Sequence, residues 1–176
     1  LLLILWPLIF TSIYFQKHTR VQASEWIYKN APNNSKLLYE YWDDALPLPL
    51  ENNFGKTFKI EQLNVFDPDT TDKWKMINDK LQSSDYYVLS SNRFWYSIPF
   101  FQQRYPKTTS FYKKLFFNNI GMIKIAEFHS RPKFGFFEIN DDNAEESFTV
   151  FDHPSVFIFK LVDKHKLIQE LENFKQ

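Results

Sequence analysis

Three short polar clusters hold most of the groups in this chain that could bind a ligand or move a proton. Asp43 and Asp44 follow the apolar run KLLYEYW, Ser91, Asn92 and Arg93 follow DYYVLS, and His129, Ser130 and Arg131 follow MIKIAEF. Two neighbouring carboxylates suggest acid–base work. Adjacent residues on an extended chain point to opposite sides, however, so Asp43 and Asp44 frame a single substrate poorly. Capping a turn or pairing with Arg93 suits them equally. Arg104 and Arg131 offer planar forks for a phosphate or for a surface ion pair. Ser91, His129 and Asp152 are the residue types of a nucleophilic triad, yet no nucleophile elbow surrounds the serine. His153 lies beside Asp152 in a turn and is expected to hydrogen-bond locally. Tyr96 adds a stacking group with a polar tip. The binding candidates are therefore Asp43, Asp44, Ser91, Asn92, Arg93, Tyr96 and Arg104, with no catalytic residue and no metal ligand assigned.

Composition removes several classes of function. Lysine and arginine total 21 against 21 acidic residues, and they are scattered, so no footprint for nucleic acid is visible. The chain has no cysteine, which rules out disulfides, thiolate nucleophiles and cysteine zinc sites. Only 3 glycines are present, too few for a glycine-rich phosphate loop. Twenty phenylalanines in 176 residues predict an aromatic core with rings left over for the surface. The triplet Asn33-Asn34-Ser35 fits a glycosylation sequon, a pattern that also arises often by chance.

The elements that must position the clusters can be read from periodicity. Residues 19–30 read as a helix stopped by Pro32, and 36–41 as a strand. The segment LPLPL at 46–50 lacks the amide donors of a central strand. A second strand is expected over 57–65. A helix capped by Thr70 or Thr71 follows to about 82, with Trp74, Ile77 and Leu81 at spacings of three and four. Residues 86–89 form a short apolar run of the kind buried on both faces of a parallel sheet. A helix over 110–119, a strand over 122–128 and extended segments at 134–139 and 147–151 come next. A hairpin-like turn at 152–155 leads into a strand over 156–161, and a last helix capped by Asp163 closes the chain. The order predicts a layered α/β sandwich with a mixed, mostly parallel sheet and an antiparallel edge. Ligands of such sheets sit outside the carboxyl ends of the strands. All three polar clusters fall there if the strands run alike, with the aromatic stretch 94–105 as a wall or lid over them.

Residues 1–15, LLLILWPLIFTSIYF, carry no charge, and ten of them are Leu, Ile or Phe. At about −0.3 to −0.6 kcal/mol each, those ten favour a bilayer by roughly 3–6 kcal/mol. The stretch covers only about 22 Å of a hydrocarbon core of about 30 Å. It reads as the second half of a transmembrane helix, with the rest upstream of a sequence that opens on Leu rather than Met. A signal peptide would show a charged start and a small-residue cleavage site, and neither is visible. A buried core helix is the other alternative. Trp6 and Tyr14 suit interfacial positions, while Lys17 and Arg20 follow as flanking positive charges. The division expected is 1–16 as the end of a membrane helix and 17–176 as a soluble domain.

The phrases ASEWIYKNAPNNSKLLYEYWDDALPL, DYYVLSSNRFWYSIPFFQQRYPKTTSFYKKLF and ESFTVFDHPSVFIFK resemble the C-terminal region of bacterial membrane glycosyltransferases of family 39. These are relatives of the dolichyl-phosphate-mannose–protein mannosyltransferases, and the likeness runs from about residue 19 to 160. The resemblance implies a polytopic enzyme of the GT-C architecture using a polyprenyl-phosphate-linked sugar donor. It implies a soluble α/β domain on the extracytoplasmic side of the cell membrane, attached after the last span. The catalytic acidic residue of that family lies in its first external loop, which this segment does not contain, so Asp43 and Asp44 do not stand for it. No cofactor is expected in the segment itself. Its expected partners are the membrane, the upstream transmembrane bundle and a glycan or lipid-linked acceptor. The helix after Asp163 has no place in the family pattern, and Lys17 and Arg20 sit uneasily with an external location. A membrane-anchored binding or scaffold domain without a transferase, and a soluble α/β enzyme with the first fifteen residues in its core, are the alternatives.

Overall fold

The computed structural model describes residues 2–174. Strand β1 (Lys36–Glu40) alternates Leu37 to one face and Leu38 with Glu40 to the other. It is flanked by two parallel partners, β2 (Lys59–Leu63) and β3 (Tyr86–Leu89). A third strand, β4 (Met122–Phe128), runs in the same direction at the far edge. Between β3 and β4 lies the last strand of the sheet, Val156–Leu161, antiparallel to both. The sheet order is thus β2, β1, β3, the Val156 strand, β4. Two pairings are parallel and two antiparallel, so the sheet is mixed as expected, with one strand reversed, but that strand is internal rather than at the edge.

Both faces of the sheet are covered. Helix α1 (Leu2–Phe10) lies off the sheet, and α2 (Thr19–Asn30) lays Ala23 and Ile27 on the face that carries Leu37, Tyr86, Val88 and Ile158. The opposite face carries Leu38, Tyr87, Leu89 and Phe159. It is packed by α3 (Thr71–Gln82) through Trp74, Ile77 and Leu81, and by α4 (Pro106–Phe116) through Phe111, Tyr112 and Leu115. Trp74 is fully buried; its loss to alanine would cost about 3–5 kcal/mol. The final helix, Lys164–Glu172, adds Leu167 and Leu171 to the same core, and Asp163 caps it by accepting from the Lys166 amide. Gly121 opens β4 with φ +81; a Cβ there would lie 2.2 Å from the Asp163 carbonyl oxygen. That close approach requires glycine.

Three local expectations change. Helix α4 starts at Pro106, not Ser110, because proline with its fixed φ suits the first helical position. Residues 133–138 form a small hairpin, β5 (Lys133–Phe134) with β6 (Phe137–Glu138). Within 147–151, expected to be extended, the chain instead forms a helical turn, α5 (Glu146–Thr149), and the Glu145 carboxylate accepts from the Ser147 amide at 3.2 Å. The sheet strand after it, Val156–Leu161, is β7, and the closing helix is α6.

The opening helix is not core. Ile4 is 65% and Leu8 62% exposed, and α1 passes through Pro7 into a 3-10 turn, Thr11–Phe15. Its attachment is at its end, where Phe10 packs on Phe148 (5.0 Å) and on His153 (5.5 Å), and Ile13 is buried. Nine residues reach only about 14 Å. No helix among the described residues is long and apolar enough to cross a membrane.

Candidate functional site

Because β1, β3 and β4 point the same way, their carboxyl ends share one edge of the sheet. At that edge Asp43 and Ser91 meet. The Ser91 hydroxyl donates to Asp43, 2.7 and 2.8 Å from its two oxygens, and Arg93 Nε donates to the same carboxylate at 3.3 Å. The Asp43 side chain is almost wholly enclosed. Burial pushes its carboxyl above the usual range, even though Ser91, Arg20 and Arg93 favour the charged form. From Asp43 the Arg93 guanidinium reaches on to Glu146 at 3.5 Å.

Asp44, in the turn that follows β1, faces away from Asp43. It pairs with Arg20 at 2.9 Å. Arg20 is not the free flanking charge expected after the opening segment. It is 8% exposed and also donates to the carbonyls of Ser90 (3.1 Å) and Val150 (2.9 Å), joining α2 to the loops after β3 and α5. Asn92 leaves the cluster too. It donates to Thr149 Oγ1 at 2.8 Å, and its own oxygen lies buried without a partner. Tyr96 donates to the Asn143 carbonyl (2.9 Å), and Arg104 is exposed with its guanidinium 5.3 Å over the Tyr105 ring. Of the seven candidates, Asp43, Ser91 and Arg93 form one unit; Asp44, Asn92, Tyr96 and Arg104 serve neighbouring contacts.

Beside the unit is a recess of about 180 Å³ walled by Trp42, Phe66, Phe94 and Tyr105, with Arg93 and Glu146 at its polar edge. Phe66 is the central ring, stacked on Phe94 (5.6 Å) and Tyr105 (5.7 Å) and 5.6 Å from Trp42. Trp42 is 59% exposed and has φ +75, a left-handed conformation that costs a bulky residue strain. A large ring held open in that way is better suited to contact a ligand than to fill a core. The aromatic stretch supplies Phe94, Ile98, Phe101 and Tyr105 to the wall and leaves Phe100 outside.

A second group was not foreseen. The Glu40 carboxylate, at the end of β1, accepts from Tyr87 and Tyr112 hydroxyls at 2.5 Å each, while its other oxygen is buried without a partner. Burial, then the nearby Asp43 charge, push its carboxyl up to about 8; the two tyrosine hydrogen bonds oppose the shift. The signal was present in the alternation, since Glu40 stands two residues after the core residue Leu38 on the same face.

The third cluster supports the loops. Arg131 pairs with Asp142 and with Glu138 (3.1 Å), His129 Nδ1 is 2.8 Å from Ser155 Oγ, and buried His153 hydrogen-bonds Asp141 at 2.9 Å rather than its neighbour Asp152. Ser91 faces a carboxylate and His129 faces Ser155, so the residue types of a triad do not assemble. No group of three metal-ligating side chains occurs among the described residues. Comparison with protein-family models, curated proteins and solved structures finds no match to this chain.

Proposed function

We propose that this chain is the extracytoplasmic C-terminal domain of a polytopic membrane glycosyltransferase, tethered by its apolar opening helix. In this role it holds no catalytic acid. Its rim takes one ring of a glycan or lipid-linked acceptor and presents it to a reaction centre elsewhere in the polypeptide. One observation carries the reading: the exposed apolar helix is attached at the same edge of the sheet as the aromatic recess. Phe10 seats on Phe148 of α5, and α5 supplies both Glu146 to Arg93 and Thr149 to Asn92. A lipid surface holding α1 would lie on the side of the recess. The charge objection to an external domain also weakens, because Arg20 is consumed inside the fold.

The recess suits a neutral saccharide ring. Its walls are flat aromatic faces, its cation is balanced by Asp43 and Glu146, and its volume is below the about 300–1,000 Å³ of drug-sized pockets. The polyprenyl-phosphate sugar donor is used by the parent enzyme and has no cofactor counterpart here. The test is to purify the chain in detergent and titrate neutral oligosaccharides against tryptophan fluorescence. Binding is expected in the native chain and lost in Trp42→Ala, and incubation with a lipid-phosphate-linked sugar should give no transfer. Sugar transfer by the chain alone would refute the non-catalytic assignment. A membrane-anchored binding domain with no transferase attached is favoured instead if the upstream sequence holds no further hydrophobic spans.

A further inference from the structure

We infer that the β5–β6 hairpin is a second lipid-contacting element, dipping its Phe134-Gly135-Phe136-Phe137 tip into the interfacial region of the bilayer beside α1. The inference rests on the tether reading of α1 and adds a separate segment to it. Phe134, Phe136 and Phe137 are 59%, 105% and 76% exposed, on a ladder of only two residue pairs. So small a hairpin is marginal in water by itself, and three bare phenylalanines there give no folding benefit.

The hairpin is fixed next to the apolar segment. The Lys133 amide donates to Ser12 Oγ at 2.7 Å, and Gln16 Nε2 donates to the Arg131 carbonyl at 3.1 Å. Strand β5 packs against both α1 and the 3-10 turn, where Tyr14 and Phe15 are also exposed. The rings therefore extend the uncharged surface of LLILWPLIF rather than forming an isolated patch. Charge is confined to the base of the hairpin and is neutralised there: Glu138 pairs with both Arg131 and Lys133 at 3.1 Å. An aromatic tip above a paired, polar base matches the gradient of the membrane–water boundary, where aromatic side chains concentrate. Lipid is favoured over a protein groove because the neighbouring surface is a helix without a single charge.

The absence of cysteine makes the test clean. Single thiols are introduced at three positions (Leu5→Cys, Phe136→Cys and Asn53→Cys), labelled with a fluorophore, and mixed as full chains with phosphatidylcholine vesicles carrying a nitroxide high on the acyl chain. Asn53 serves as the far control, because its loop lies near the amino ends of β1 and β2. Quenching at positions 5 and 136 should exceed that at 53 several-fold. Quenching at 5 without quenching at 136 would overturn the hairpin's role and leave the tether standing. No quenching at either position would overturn both. Self-quenching at 136 that grows with protein concentration, without lipid quenching, would assign the rings to a second copy and also overturn the inference.

Discussion

Two buried carboxylates in this molecule are treated in opposite ways. Asp69, in the loop before α3, is met by donors on both oxygens. Lys73 Nζ (2.9 Å), Trp74 Nε1 (3.2 Å) and the Thr108 hydroxyl (2.5 Å) reach one, and the amides of Lys107 (2.7 Å) and Thr108 (3.0 Å) reach the other. Those two amides open α4, so Asp69 also faces a positive helix end. Burial alone would raise its carboxyl; hydrogen bonds from Thr108 and Lys73 outweigh that and hold it below the ordinary range. Glu40, at the rim, has two tyrosine hydroxyls, no cation and one bare oxygen. Burial acts to raise both carboxyls, and the number and charge of the donors separate a structural anchor from a proton reservoir.

The largest effect is expected for Asp69→Ala. It strands the buried Lys73 ammonium and uncaps α4, so stability should fall by about 3–5 kcal/mol in chemical denaturation. A loss under about 1 kcal/mol would show that the donors are interchangeable with water.

Glu40→Gln probes the other side. The folded chain holds the Glu40 proton up to about 8, against an ordinary 4.5, so folding binds a proton through that window. Stability is therefore full below the lower value and declines as pH rises towards the upper one. The native chain should lose on the order of a few kcal/mol relative to Glu40→Gln across that range, with the curves parallel at higher pH. Denaturant midpoints of both proteins measured through the window give the answer, and a constant gap would refute the reservoir.

Asp43→Asn sharpens the link between rim and core. It weakens the Ser91 and Arg93 contacts, for about 1–2 kcal/mol. It also removes the charge that helps raise Glu40, so the pH-dependent decline should end at a lower pH and be smaller in total. The smallest effect is expected for Trp42→Gly. Relief of the φ +75 strain offsets the lost ring contacts, leaving stability within about 1 kcal/mol, while the glycan binding proposed for the recess should be lost in the titration.

Much of this fold was legible because its signals were local. The stripe Trp74, Ile77, Leu81 and the caps at Thr70 and Asp163 lie within single elements. The convergence of Asp43 with Ser91 followed from a rule about strand ends. The position of β7 did not, since a strand inserted between β3 and β4 depends on pairing across the whole chain, which no window of residues encodes. Arg20 and His153 were misread for the same reason: their partners, Ser90, Val150 and Asp141, lie 70, 130 and 12 residues away. The recess was half visible, for the stretch 94–105 was expected as a wall, but Phe66 arrives from the loop after β2 and Glu146 from α5.

The start of α2 has a mechanical consequence. Thr19 donates to the Pro154 carbonyl at 2.6 Å, His18 lies 3.1 Å from the Phe151 carbonyl, and the Arg20 guanidinium bridges two further loops. With Phe10 and Ser12 also fastened, the junction has no slack for a swivel. Any tilt of the first helix must turn the entire body with it, and the aromatic mouth will sweep through the same angle.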